Sequence, residues 1–210
     1  MAARGSQRAW LVWLGALSYV VYSFVIYAFA VQYNRLFLAY VAVLGCALWA
    51  LIGGMASTDW EGVKARFSPH VPAKPVSLYL MVLAAFFYVL WLGVEMPALM
   101  SGSVPKEVTE SGLLTNPVHV LDLAMMLPAM LVAGVLLWRR RAIGYGLAAM
   151  LLVNALFQDL AIASMMVFSV RAGLPGGPVP MFVAMAAVTL GLLYTYLRRM
   201  GDSPGVRALH

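Results

Sequence analysis

Residues Asn116 to Arg141 read NPVHVLDLAMMLPAMLVAGVLLWRRR and contain the most informative pattern of the chain. Asn116 is a favourable N-cap, and Pro117 suits the first helical position because its missing N–H is not needed there. An apolar run continues to Leu137, and Trp138 with the arginines that follow is typical of a water interface. The stretch therefore predicts one membrane-spanning helix with polar residues at its start and a charged end.

The composition of the whole chain is that of a membrane protein. The chain has 210 residues, of which 63% are hydrophobic and 10% are charged, whereas soluble domains carry about 25% charged residues. Six apolar segments lie near the ~20 residues that a spanning helix needs. We predict an all-α fold, a single bundle of six transmembrane helices, with spans at roughly 9–31, 36–55, 76–96, 118–138, 142–169 and 180–197.

The basic residues predict the orientation of these spans. If the N-terminus is inside, eleven of the 14 Lys and Arg residues lie in inside segments, from Arg4 to Arg207, and three lie outside: Arg35, Lys106 and Arg171. Cytoplasmic loops carry an excess of Lys and Arg. We therefore expect both termini in the cytoplasm and a location in a prokaryotic cytoplasmic (inner) membrane. Residues 98–115 then form the longest outer loop, in which 105–111 are expected to form a short helix capped by Ser103.

The polar residues of the spans gather in the outer half of the predicted bundle. Carboxylates within spans are costly to bury and point to function by default. We predict an outward-facing pocket whose floor is Asp159. The residues expected to bind a ligand there are Tyr88, Trp91, Glu95, His119, Asp122, Asn154, Gln158 and Asp159. Pro128 adds to this pattern because it frees the carbonyl of the residue four positions earlier.

A structural interpretation of the same residues stays open. In it Asp122 bonds a tyrosine hydroxyl, Glu95 pairs with Arg35, and His119 lies at the membrane interface. The tyrosines of the first helix, Tyr22 among them, are then packing residues and part of an aromatic belt.

Several chemistries do not fit the sequence. No lysine lies within a predicted span, a bis-histidine haem lacks its second buried histidine, and nucleotide-binding glycine loops are absent. The single cysteine, Cys46, provides no redox pair. His119 and Asp122 alone have the local spacing of metal ligands, so we expect neither a metal nor a cofactor. No basic, aromatic-rich soluble segment indicates nucleic acid as a partner.

The segments TNPVHVLDLAMMLPA and WRRRAIGYGLA, with NRLFLAYVAVLG after an aromatic first helix, resemble a group of prokaryotic integral membrane proteins. These carry an NPVHVLDL…RRRxxGY pattern and have no assigned reaction. The resemblance implies a six-helix membrane protein. A more distant similarity is to small helical bundles that bind sterols or cationic amphiphiles with intramembrane acids and an aromatic wall, although the histidine and glutamate spacing differs.

Three functions remain open from the sequence, and whether the protein is an enzyme is not decided among them. The first is binding or transport of a small cationic or amphiphilic ligand by the acidic and aromatic pocket. The second is an assembly or accessory subunit with structural acids, whose partner is another copy or a membrane complex. The third is a membrane-embedded enzyme acting on a lipid or quinone-like substrate, with His119 and Asp122 as the acid/base pair.

Overall fold

Six helices of the chain are long and apolar enough to cross a membrane, in a computed structural model that describes residues 6–174 and 176–201. They are α1 (Gln7–Phe29), α2 (Phe37–Ala56), α4 (Ala73–Ser101), the fourth span (Pro117–Trp138), α8 (Ala142–Arg171) and α9 (Val179–Leu197). The short helices α3 (Trp60–Ala65) and α5 (Lys106–Ser111) lie in the connections. The fourth span consists of α6 (Pro117–Leu121), a π turn (Asp122–Met126) and α7 (Leu127–Trp138). No strand forms within the described ranges.

Most of the predicted helix ends agree with the structure to within about three residues, and the end of the third span does not. That span was predicted to stop at residue 96, but α4 continues through Pro97 to Ser101. Proline inside a membrane helix is tolerated where neighbouring groups compensate for the lost bond. The helix instead ends at Gly102, whose positive φ of 64° provides a left-handed cap. The prediction that Ser103 caps α5 is also wrong, since Pro105 occupies that position.

The central helix of the bundle is α8, which packs against α1, α7 and α9 and against the short α3. Small residues allow this central position. A Cβ atom on Gly15 of α1 would lie 2.6 Å from Cβ of Val153 and 2.7 Å from the carbonyl oxygen of Met150. Likewise, Gly146 leaves the space into which the ring of Trp60 packs. By contrast, α2 packs on α1 and lies at the periphery.

One end of the bundle, the arginine end, is formed by the start of α1, residues 57–74, residues 139–141 and residues 197–201. There the Arg8 guanidinium donates to the carbonyl of Met200. Backbone bonds join Ser68 N–H to the Arg199 carbonyl (2.8 Å) and Gly201 N–H to the Arg66 carbonyl (2.7 Å). Both ends of the described chain therefore lie at the same end of the bundle, as an even number of spans requires.

The opposite end, the mouth end, is formed by residues 30–36, 102–116, 171–174 and 176–178. Among the described residues it holds three basic side chains, those of Arg35, Lys106 and Arg171, whereas the other nine belong to the arginine end. Arg4 and Arg207, which also entered the predicted charge pattern, lie outside the described residues. The structure thus separates the basic residues along the bundle as the sequence pattern implied.

Candidate functional site

A cavity of about 430 Å³ opens in the mouth half of the bundle. Its walls come from α1, α4, the fourth span, α8 and α9, and Glu107 of α5 with Asn116 lies at its rim. Six of the eight residues that the sequence singled out line it: Trp91, His119, Asp122, Asn154, Gln158 and Asp159. We call this space the polar cavity. The α1–α2 groove, by contrast, is lined by apolar side chains and Cys46.

Asp122 is the point at which three spans meet in the wall of the polar cavity. The Tyr22 hydroxyl of α1 donates to its Oδ1 (2.9 Å), and the Trp91 indole N–H of α4 donates to its Oδ2 (2.8 Å). Both oxygens of this half-buried carboxylate therefore have a donor, which offsets the cost of removing the charge from water. The structural interpretation expected a tyrosine hydroxyl as a partner of Asp122, and the structure identifies it as that of Tyr22.

The backbone at Asp122 departs from a regular α-helix. Residues Asp122–Met126 form a single π turn, closed by a bond from the Leu127 N–H to the Asp122 carbonyl. Pro128 follows in the first turn of α7 and has no N–H to continue the α pattern. One-turn π bulges of this kind occur frequently at functional sites. The extra residue rotates the start of the fourth span relative to α7, which changes the direction in which Asp122 projects.

His119 and Glu95 form a hydrogen-bonded pair next to Asp122. The His119 Nδ1 and Glu95 Oε1 atoms are 2.6 Å apart, and the His119 ring is 95% removed from solvent with its centroid 4.3 Å from that of Trp91. The predicted pairing of Glu95 with Arg35 is wrong, since Arg35 is exposed at the mouth end. The prediction failed because α4 continues past Pro97, which leaves Glu95 within the helix and facing the fourth span.

The acid/base pair expected from the sequence, His119 with Asp122, does not form a direct hydrogen bond. His119 Nδ1 is engaged by Glu95, and the Asp122 oxygens are engaged by Tyr22 and Trp91. The backbone N–H of His119 is held by the Asn116 side chain at 3.3 Å. The imidazole is therefore fixed at both its backbone and its ring, which positions it as part of the cavity wall.

Asp159 lies at the deep end of the polar cavity and is 5% exposed. Its Oδ2 accepts a hydrogen bond from the Thr189 hydroxyl of α9 (3.3 Å), and that hydroxyl also lies 2.5 Å from the Tyr79 hydroxyl of α4. Among the described residues, no hydrogen bond reaches its Oδ1. Asp159 thus differs from Asp122 in having one oxygen without a donor.

Asn154 lies closer to the arginine end of α8 and is fully buried. Its Nδ2 donates to the Ser18 hydroxyl oxygen (3.0 Å), which itself donates to the Gly15 carbonyl (2.8 Å). Its Oδ1 is buried and has no hydrogen-bond partner in the described structure. A buried acceptor without a donor is unusual in proteins.

Methionine side chains form much of the remaining wall. Five of the 14 methionines border the polar cavity: Met126, Met130, Met165, Met166 and Met185. Together with Phe87 and Phe182 they give the cavity that the acids line an apolar surface. Methionine is flexible and polarisable, so such a wall adapts to ligands of different shape. The arrangement combines carboxylates with an adaptable apolar surface.

No protein-family model matches the chain, and neither does any curated protein or solved structure. The geometry and chemistry of the polar cavity are therefore the guide to its function. Within the described residues, no three His, Cys, Asp or Glu side chains converge as a set of metal ligands would.

Two residues predicted for the site lie outside the cavity wall. The Tyr88 hydroxyl donates to the Leu123 carbonyl (3.5 Å), and Glu95 stands behind His119. Conversely, the sequence interpretation missed Tyr22 and Glu107, which do line the cavity. Tyr22 was indistinguishable from its aromatic neighbours on α1, because only the fold shows which of them faces Asp122. The signal for Glu107 was its place in the short helix of the outer loop.

Proposed function

We propose that this protein binds a small cationic or amphiphilic ligand in the polar cavity, as a receptor or as one step of transport. The observation that carries the proposal is the convergence of Asp122 and Asp159, from different spans, on one cavity with an apolar methionine wall. Within a low-dielectric bundle, a carboxylate attracts a cation far more strongly than it does in water. The apolar tail of an amphiphile would contact the methionine wall.

The two acids have different roles in this proposal. Asp159 has an oxygen to which no described residue donates, so it is the counter-ion for the ligand. Asp122 holds the Tyr22 hydroxyl and the Trp91 indole in place, so it is a positioning residue of the wall. Glu107 at the rim adds negative charge at the entrance, where it favours the approach of cations.

The orientation belongs to the same proposal. We place the protein in a prokaryotic cytoplasmic membrane with both termini inside, which directs the mouth end outward. The excess of basic residues at the arginine end supports this. In a Cys46→Ala background, Glu110→Cys should react with a membrane-impermeant maleimide in intact cells. His70→Cys should react only after permeabilisation, and the reverse pattern would overturn the orientation.

Binding is tested by calorimetry on the protein in lipid nanodiscs, with n-octylammonium as the cation and n-octyl sulfate as an anion of matched tail. We expect the cation to bind and the anion not to bind. Asp159→Asn should weaken cation binding by about 10- to 100-fold, since it removes a charged hydrogen-bond acceptor. Asp122→Asn should weaken it less, because both Asp122 oxygens already have donors within the protein. Wild-type binding in both variants would refute the proposal.

Both oxygens of Asp122 are bound by side chains of the protein itself. This observation favours a second function, that of an accessory subunit with structural acids. In that case neither octyl ligand binds the wild-type protein, and Asp122→Asn lowers the thermal stability of the protein. The calorimetric experiment therefore distinguishes the two functions with the same variants.

A further inference from the structure

Three hydrogen-bond donors in or next to the wall of the polar cavity are used by the protein itself. The Tyr22 hydroxyl and the Trp91 indole N–H both donate to Asp122. The Thr189 hydroxyl has one hydrogen to share between the Asp159 carboxylate and the Met185 carbonyl, which lies 2.9 Å away. A ligand entering the cavity therefore finds few donors on these side chains.

Two hydrogen-bond acceptors on residues of the cavity wall, in contrast, have no donor among the described residues. Asp159 has an oxygen to which no described residue donates, and the Asn154 Oδ1 is buried without a partner at the same cavity wall. Buried acceptors are almost always paired in folded proteins, with protein groups or with other molecules. One buried acceptor without a partner, on Asn154, and one carboxylate oxygen without a described donor, on Asp159, thus belong to residues of the same cavity wall, where the donors of an occupant can be bound.

The aromatic side chains are poorly placed to hold a cation that has no donors. A quaternary ammonium is bound by the open faces of aromatic rings. The Trp91 ring, however, has the His119 ring 4.3 Å from its centroid and the Phe87 ring at 5.6 Å. Tyr88 does not line the cavity, and its hydroxyl is directed to the Leu123 carbonyl. The open aromatic cage that a quaternary ammonium needs is therefore missing at Trp91.

We infer that the ligand of the polar cavity carries N–H donors on its cationic head: it is a protonated primary or secondary amine with an apolar tail, and not a quaternary ammonium. The head places its N–H groups on Asp159 and toward Asn154, and the tail lies along the methionine wall. This inference rests on the proposed function, since it specifies the class of ligand for the same site.

A methylation series of one ligand tests the inference in the full-length protein. n-Octylammonium and its N-methyl, N,N-dimethyl and N,N,N-trimethyl derivatives have the same tail and the same charge at neutral pH, and they carry three, two, one and no N–H groups. In nanodiscs, calorimetry should show affinity that falls as N–H groups are lost, by about tenfold or more from the primary amine to the trimethyl compound.

A variant connects this preference to a single atom. Asn154→Leu removes the unpaired acceptor at similar volume, so the ratio of primary-amine to trimethylammonium affinity should fall toward one. Ser77→Ala is the matched control, because Ser77 Oγ is also buried and unpaired but does not line the polar cavity. That variant should keep the wild-type ratio. If Asn154→Leu does not fold, the series on the wild-type protein decides the matter alone.

The outcomes separate this inference from the proposed function. Equal affinity across the series, or tighter binding of the trimethyl compound, would overturn the inference and leave cation binding in place. Failure of all four amines to bind would overturn both.

Discussion

The two halves of α8 show how differently the ends of this bundle are built. From Gly144 to Ala155, every residue except Leu147 is buried, whereas from Leu156 to Arg171 only Asp159 and Ala163 are. The first half lies toward the arginine end, among α1, α7, α9 and α3. The second half borders the polar cavity. One continuous helix thus serves as the packed centre of the bundle over one half and as a wall of open space over the other.

This difference separates the part of the bundle that is stabilised by close packing from the part that contains the cavity. Helices in lipid gain little from the hydrophobic effect, and close van der Waals packing between small residues holds them together. The contacts at Gly15 and Gly146 provide that packing toward the arginine end. The mouth half of the bundle is packed less closely, so it has room for a cavity with carboxylates on its wall.

The largest effect that would test this comparison is a core truncation. Leu137→Ala removes a fully buried side chain near the arginine end, and we expect it to reduce the free energy of unfolding by about 2–5 kcal/mol. Met185→Ala removes a similar volume from the cavity wall, where it enlarges a space that already exists. Its cost should be smaller, about 1 kcal/mol, because Met185 is only partly buried and borders open space.

Both variants are compared by unfolding in mixed micelles. Equal losses in the free energy of unfolding would mean that the mouth half is as tightly packed as the arginine half. That result would contradict the difference between the two halves.

A smaller effect is expected from adding one methyl group at the α1–α8 contact. Gly15→Ala places a Cβ atom 2.6 Å from that of Val153, so the helices must move apart, and overpacking of this kind costs about 1–3 kcal/mol. Gly45→Ala on α2 is the control, since no atom lies within 4 Å of the added carbon. It should leave the melting temperature unchanged or slightly raised. A drop of the same size in both variants would show that packing at Gly15 is not special.

The fold was largely predictable from the sequence because hydropathy reports the spans directly. The segments near 142–169 and 180–197 correspond closely to α8 (Ala142–Arg171) and α9 (Val179–Leu197). The exception was α4, whose predicted span ends at residue 96, directly before Pro97, whereas the helix continues to Ser101. A proline inside a membrane helix is not decided by local sequence, since neighbouring helices determine whether its cost is tolerated.

Most residues of the candidate site could be predicted from the sequence, but the hydrogen bonds between them could not. Asp122 and Asp159 stood out because buried carboxylates are costly, and both border the cavity. The partners Tyr22 and Thr189, however, come from distant segments of the chain. The relative rotation of helices selects such partners, and the π turn at Asp122 changes that rotation without any clear sequence signal.

A still smaller effect on stability is expected from removing a polar contact in the mouth half, the hydrogen bond between Tyr22 and Asp122. Tyr22→Phe removes the hydroxyl that reaches Asp122 at 2.9 Å. In a double-mutant cycle with Asp122→Asn, the coupling free energy should be about 0.6–2 kcal/mol, the range of hydrogen bonds between membrane helices. Tyr27→Phe on the same helix is the control, because Tyr27 makes ring contacts alone among the described residues. A coupling free energy near zero would mean that the Tyr22–Asp122 contact does not stabilise the bundle.

The smallest effect compares one helix cap at each end of the bundle. Asn116 accepts bonds from the Val118 and His119 N–H groups (3.0 and 3.3 Å) at the mouth end, and Asp59 accepts one from the Gly62 N–H (3.0 Å) at the arginine end. Replacing either with alanine should cost about 0.5–1 kcal/mol locally. Hydrogen exchange should accelerate at residues 118–121 in Asn116→Ala and at residues 60–65 in Asp59→Ala.

The two cap variants should differ in ligand binding. His119 is part of the cavity wall, so loosening its backbone should weaken n-octylammonium binding by about two- to fivefold in Asn116→Ala. Asp59→Ala should bind as the wild type does, because α3 packs on the buried half of α8 and does not reach the cavity. Equal weakening in both variants would mean that order at the arginine end is transmitted to the mouth, and the two halves would then be one cooperative unit.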